Sequence, residues 1–334
     1  MAAVGGQPIG KRTAGGASAH DDEIEFHAFS PGLLFGLPLR DSNLSSISPP
    51  REVAPMEVVQ LENFGAEVRG IDMSGDLDSE TVAKLHRIWA ENGVILFRDQ
   101  ALEEADVVAF SRLFGELEIH VREEYLSKDH PELLIISNVK ENGEPIGILS
   151  DHEVGWHHDQ IYLPRPAVGS LLYSVKIPPS GGNTEFCDLA GAYDALSDEK
   201  KRELDGVRAV HSYEYFNRKW SEPTNEKQKN RTPDVTHPLV RTHPTTGRKA
   251  IYADPGMTAG IDGMGEDEGH AYLDQLYAHC LNPQFIYDHE WRLGDALMWD
   301  NASTMHRRGA FDPAAERIMK RTTILPAADQ AIPV

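Results

Sequence analysis

The stretch Gly155-Trp156-His157-His158-Asp159-Gln160 lies midway along a chain of 334 residues and sets two metal-grade side chains two positions apart. Side chains on a strand alternate between faces. A strand here therefore directs the His157 imidazole and the Asp159 carboxylate to one point and turns His158 the other way. Two ligands do not make a metal site, and a chain with 15 histidines and 53 acidic residues produces such pairs by chance. A third ligand is needed from elsewhere.

His306 supplies the candidate, close behind the apolar run Leu297-Met298-Trp299. The closing segment Arg317-Ile318-Met319-Lys320-Arg321-Thr322-Thr323 adds two guanidiniums. On a strand, Arg317 and Arg321 share a face and lie about 13 Å apart at roughly 3.3 Å per residue, far enough to hold two different anions around one centre. The alternative is a pair of solvated surface arginines. Two imidazoles and one carboxylate on one side of a metal leave the opposite positions open, as in non-haem Fe(II) oxygenases; the same donors also suit zinc with a bound water. His152-Glu153-Val154-Gly155-Trp156-His157 is one residue too long for the HExxH zinc motif, and Gly155 weakens a helix there. His237, His243, His270, His279 and His289 have no spacing that separates them from structural residues.

With 53 acidic against 32 basic residues the formal charge is −21, which repels nucleic acid and anionic membrane as general partners. An anionic small molecule must then be caught by a local basic cluster. Two cysteines, Cys187 and Cys280, exclude a disulfide framework and suit a reducing, cytoplasmic setting. No apolar run reaches membrane-spanning length, and no apolar segment follows Lys11 and Arg12 as a secretory signal requires.

Residues 1–54, rich in Gly, Ala, Ser and Pro, are expected to form a poorly ordered N-terminal extension, and 55–334 a single domain. Strands are expected at 58–61, 66–71 and 94–97. A helix runs from an Asp78 cap to Gly93, with Val82, Leu85, Ile88 and Trp89 on one face, and another spans 103–114. Further on, strands are expected at 133–137, 156–162, 168–177, 184–187, 238–242, 250–253, 285–291, 296–299 and 318–325, with helices at 190–205 and 267–280. So many strands without βαβ alternation predict a mainly β fold with flanking helices, a sandwich or jelly roll. The polar run 217–234 reads as a mobile loop or lid.

Taken in order, Phe114-Gly115-Glu116-Leu117, Trp156-His157-His158-Asp159, Gly181-Gly182-Asn183-Thr184, His237-Pro238-Leu239-Val240-Arg241-Thr242-His243-Pro244, Trp299-Asp300-Asn301 and the segment 317–323 resemble the taurine dioxygenase and 2,4-dichlorophenoxyacetate dioxygenase family. The resemblance implies a double-stranded β-helix (jelly roll, cupin-like) core. It also implies Fe(II) as metal, 2-oxoglutarate as cosubstrate and O2, with succinate and CO2 released. His157, Asp159 and His306 look like the three iron ligands. Arg317 and Thr184 look like the partners of the distal 2-oxoglutarate carboxylate, and Trp299 like an aromatic lining that pocket. His120 and Arg321 match positions that hold a sulfonate, which implies a substrate with an anionic head: carboxylate, sulfonate, sulfate or phosphonate. Glu153, Phe216, Asn217 and Met257 fall on other substrate-lining positions and depart from the taurine pattern. Retention of Asp159, which related halogenases vacate, implies hydroxylation. A homo-oligomer is expected. The alternatives are a zinc hydrolase using the same three ligands and a non-catalytic binding protein.

Overall fold

In the computed structural model, the described residues are 55–327 except 121, 149–152 and 219–225. The expected extension at 1–54 lies outside them.

Alternation within short apolar strands builds two buried faces. In Val94–Phe97 all four residues are buried, Ile95 and Phe97 on one side, Val94 and Leu96 on the other. The same split separates Met298 from Leu297 and Trp299, and Leu171 and Tyr173 from Leu172. Strands apolar on both faces belong to the middle of a layered structure. The main sheet has seven strands in the order Glu57–Gln60, Ala66–Arg69, Val94–Phe97, Ala296–Asp300, Gly169–Lys176, Ile318–Ile324, Leu134–Ser137. Pairing is antiparallel except between Ala66–Arg69 and Val94–Phe97.

Two helices cover the outer face of this sheet. Ser79–Asn92 starts where the Asp78 carboxylate accepts the Thr81 N–H and ends at Gly93, whose φ of 70° suits a residue without a side chain. It packs Leu85 and Trp89 onto the sheet beside Val107, Val108 and Phe110 of Glu104–Arg112, which opens with a Glu103/Asp106 capping box. The inner face meets a second, four-stranded sheet in the order Ile286–His289, Thr184–Asp188, Thr304–Arg308, Val154–His157. Phe186 and Tyr287 of that sheet pack against Val94, Leu96, Leu172, Leu297, Trp299 and Met319. Its other face, with Trp156, Cys187 and Met305, joins a cluster that includes Leu273 and Leu276 of the helix Glu266–Cys280. The fold is mainly β with a few helices, as expected.

Several boundaries differ from the expectations. The strand expected at 156–162 is Val154–His157 and stops before Asp159. The helix expected at 190–205 is two, Leu189–Asp194 and Asp198–Leu204, because Ser197 caps the second with its hydroxyl on the Lys200 N–H. The strand expected at 238–242 divides into Val235–Pro238 and Val240–Thr242, which join different sheets. Thr304–Arg308 has no counterpart among the expected strands, since Thr-Met-His-Arg-Arg carries little apolar signal. Within 217–234, Glu226–Arg231 is a short helix, and 219–225 lie outside the described residues. No helix among the described residues is long and apolar enough to cross a membrane.

Candidate metal centre

His157 and His306 are directly opposed across the antiparallel strands Val154–His157 and Thr304–Arg308. Trp156 and Met305 point into the cluster behind the smaller sheet, so their neighbours His157 and His306 point between the sheets. Their ring centroids are 4.2 Å apart, and the His306 ring lies 4.6 Å from that of Trp299.

Asp159 reaches the same point by a turn rather than by strand alternation, with Gln160 at φ 59°. The side chain of Asn301 clamps its backbone: Oδ1 accepts the Asp159 N–H at 3.1 Å and Nδ2 donates to the Asp159 carbonyl at 2.5 Å. Two residues of the main sheet hold the carboxylate. The Ser170 hydroxyl donates to Oδ2 at 2.7 Å, and Arg321 Nη1 stands 3.3 Å from Oδ1. The donor atoms of His157, Asp159 and His306 all lie within 4.8 Å of one another, in the one such group found among the described residues.

The protonation states suit metal binding. Burial opposes ionisation of Asp159, but the Arg321 guanidinium, the two neighbouring imidazoles and the Ser170 hydrogen bond together outweigh it and hold the carboxyl well below the usual range. Burial pushes the His306 pKa well down, which keeps its imidazole neutral. His157 Nδ1 lies 2.8 Å from the Gly155 carbonyl, which can only accept; Nδ1 therefore donates and leaves the Nε2 lone pair for a ligand. His158 turns away, as expected. Its ring Nδ1 and backbone N–H both bond Asp254 Oδ2, at 2.9 and 3.2 Å, while Asp254 Oδ1 accepts from the backbone of Gly256 and Met257.

Beyond the three donors, Arg317 lies 1 % exposed at the entry to Ile318–Ile324, with Nε and Nη2 unpartnered among the described residues. Burial and the nearby Arg308 charge push its pKa down to about 9. A buried guanidinium without a carboxylate is costly, and an anionic ligand is what would relieve it. Gly182, at φ 70°, lies beside Arg317, where a Cβ would be in ordinary contact with Nε at 3.5 Å. Two residues on, the buried Thr184 hydroxyl accepts from Trp291 Nε1 at 3.0 Å and keeps its own proton to donate. Trp299 Nε1 is buried and has no hydrogen-bond partner among the described residues.

On the opposite flank, burial and the Arg321 charge lower the His120 pKa to about 4. Phe216 and Met257 share a small cluster with Ile161 and Tyr252, and the Phe216 ring lies 6.3 Å from that of His157. Asn217 ends the helix Tyr213–Asn217. Glu153 is exposed just before the strand that carries His157. The other histidines are tied into the scaffold: His243 to Asp300, His289 to Asp295, and His237, His270 and His279 to backbone carbonyls.

Ser170 and Asn301 were not singled out by their chemistry in the sequence. Ser170 sits in an apolar strand and has no motif, whereas Asn301 lies in the Trp299-Asp300-Asn301 element and was legible only as part of that pattern. Asn301→Ala should weaken metal binding by about 10- to 100-fold, as loss of an orienting partner does, measured by Co(II) titration.

One buried histidine also contributes to the loss of stability at acid pH. His211 is fully buried, and burial lowers its pKa from 6.5 to about 3. Between those values the unfolded chain binds the proton and the folded chain does not, so this contribution is complete above pH 6.5 and is lost as pH falls toward 3. Urea unfolding of His211→Gln should show a shallower loss of stability over that window, by up to about 1.4 kcal/mol per pH unit.

The model of the taurine catabolism dioxygenase TauD, TfdA family matches residues 57–323. The chain belongs to that family. It is 37% identical over 273 residues to the alpha-ketoglutarate-dependent 2,4-dichlorophenoxyacetate dioxygenase of Cupriavidus pinatubonensis, covering 78% of this chain and 94% of the relative. It is 32% identical over 304 residues to the (S)-phenoxypropionate/alpha-ketoglutarate-dioxygenase of Sphingobium herbicidovorans, covering 86% and 99%. A crystal structure of AAD-2 in complex with Mn(II) and N-oxalylglycine superposes with a TM-score of 0.72 at 31% identity, covering 84% of this chain and 100% of that one. Family membership agrees with the ordered motifs, and these named relatives give no support to the hydrolase alternative.

Proposed function

We propose that this chain is an Fe(II)- and 2-oxoglutarate-dependent dioxygenase that hydroxylates a small organic substrate with an anionic head group, with release of succinate and CO2. The observation that carries the reading is the pairing of two features between the same sheets: the His157/Asp159/His306 cluster and the buried Arg317, whose Nε and Nη2 have no partner among the described residues. A zinc hydrolase has use for the first alone. The seven- and four-stranded sheets, packed face to face, support a double-stranded β-helix core within one domain at 55–334.

In this reading His157, Asp159 and His306 hold Fe(II) and leave its remaining positions to ligands. Arg317 presents a planar fork to the far carboxylate of 2-oxoglutarate, Thr184 donates its hydroxyl, and Trp299 lines the pocket. N-oxalylglycine, found with Mn(II) in AAD-2, has the same two carboxyl ends as 2-oxoglutarate, which supports this assignment. When bound, the metal and cosubstrate with O2 supply the oxidising power; the protein supplies orientation and a dry cavity. His120 and Arg321 receive the substrate head, with Phe216, Asn217 and Met257 along its body and Glu153 toward the rim. Relatives named for 2,4-dichlorophenoxyacetate and (S)-phenoxypropionate support a carboxylate among the accepted heads, and sulfonate, sulfate and, in its singly charged form, phosphonate belong to the same proposal. The free, buried Cys187 and Cys280 accord with a cytoplasmic setting, and homo-oligomeric assembly is part of the reading.

Anaerobic titration of the metal-free protein with Fe(II) and 2-oxoglutarate tests it. A weak visible charge-transfer band is expected; tight zinc retention with no such band would sink the proposal.

A further inference from the structure

Glu118 has no part in the scheme above, yet it faces the end of the site where the substrate head is placed. Its backbone N–H donates to the Thr323 carbonyl at 2.9 Å, and Leu117 bridges Ile324, so this segment lies along the strand that carries Arg321. The Gln160 side chain bonds its carboxyl, while Oε2 is buried without a hydrogen-bond partner among the described residues. Arg321 is the cation that acts on Glu118, and it is shared, because its Nη1 already faces Asp159 while its Nε is unpartnered. The other cation that acts on His120, Arg122, has a side chain 43 % exposed and faces Glu124 at 3.4 Å. His120 is held neutral, its pKa lowered to about 4 by burial and by Arg321, and burial keeps the Tyr162 phenol protonated.

One guanidinium therefore stands between two carboxyls. A metal at the triad compensates Asp159, which leaves Arg321 and Glu118 as the charged groups a substrate head meets. We propose that Glu118 is a specificity-determining residue that restricts the head group to a single negative charge: carboxylates, sulfonates and sulfate monoesters are taken, and dianionic phosphonates or phosphates are turned away. This rests on the dioxygenase reading and on Arg321 as the head-group anchor.

The physical basis is charge balance in a site partly withdrawn from water. A monoanion places its charge on the Arg321 guanidinium, which then serves the head group and the Glu118 carboxylate together. The second charge of a dianion finds no second buried cation among the described residues of this flank and lies against the Glu118 carboxylate, where like charges are penalised more than in bulk water.

The test uses the Fe(II)- and 2-oxoglutarate-loaded enzyme under anaerobic conditions, with binding followed by calorimetry. The probes are butane and phenoxymethane carrying a carboxylate, a sulfonate, a phosphonate, or a phosphonate monomethyl ester, which keeps the tetrahedral shape with one charge. At pH 8.5, an arbitrary choice of roughly one unit above the second phosphonate ionisation, wild-type enzyme should prefer the monoester over the dianion by about ten-fold or more. Glu118→Gln should narrow that ratio by about ten-fold, with its melting temperature as the check on folding. Equal wild-type affinity for dianion and monoester overturns the proposal, as does an unchanged ratio in the variant. Failure of the underlying reading looks different: no probe of either series binds, or Arg321→Gln leaves every affinity as it was.

Discussion

Asp159→Ala is expected to lower succinate release by about 100-fold or more and to weaken Co(II) binding at least as strongly, since even partners that only orient a ligand are worth 10- to 100-fold. The side chain is the one anionic donor of the three, and it is held in place from two directions, by Ser170 at 2.7 Å and Arg321 at 3.3 Å. Its loss removes a metal ligand, frees the Arg321 guanidinium and leaves the Ser170 hydroxyl without its acceptor. A change of this kind alters the substrate anchor as well as the metal, so metal titration and succinate assay should be read together with the melting temperature of the apoprotein. Unchanged turnover would mean that another carboxylate serves the metal.

Arg317→Met should raise the KM for 2-oxoglutarate by about 100-fold, equivalent to about 2.7 kcal/mol, within the range for losing one partner of a buried charge pair. The same change should leave the apoprotein equally stable or more stable. Burial and Arg308 hold the Arg317 pKa at about 9 against 12.5 in the unfolded chain. Between those values the unfolded state binds more protons, so the destabilisation is complete below about pH 9 and fades as pH rises toward 12.5. At neutral pH the wild-type apoprotein bears that cost in full, and an apolar side chain of similar length removes it. Thermal melts should separate the two effects: 2-oxoglutarate raises the wild-type transition in proportion to its binding and does not raise that of the variant. A large drop in apoprotein stability would instead show that Arg317 has a structural partner.

Much of the fold was legible where local signals agreed. Asp78 and Gly93 bound a helix because a carboxylate and a missing Cβ meet requirements that lie within one turn of chain. Val94–Phe97 and Ala296–Asp300 were read from apolar runs. Thr304–Arg308 escaped because its pairing partners, Thr184–Asp188 and Val154–His157, are more than a hundred residues away, and four of its own five residues are polar. It is the strand that carries His306.

By itself the sequence determined the candidate donors and their chemistry: two histidines and an aspartate of metal-ligand type, and arginines suited to holding anions. It also determined the ordered motifs that the family match at 57–323 agrees with. Tertiary structure alone decided how these groups converge. The Gly155–Gln160 stretch is a strand only as far as His157, and Asp159 is brought back by Asn301, Ser170 and Arg321, each over a hundred residues away or on another sheet. Only burial distinguished Arg317, with no carboxylate partner among the described residues, from a solvated surface arginine, and only burial left Glu118 with an oxygen unpartnered among those residues beside Arg321. Residue type sets what a side chain can donate or accept. Whether that capacity is left unsatisfied in the folded chain, and so available to a ligand, depends on contacts between distant segments.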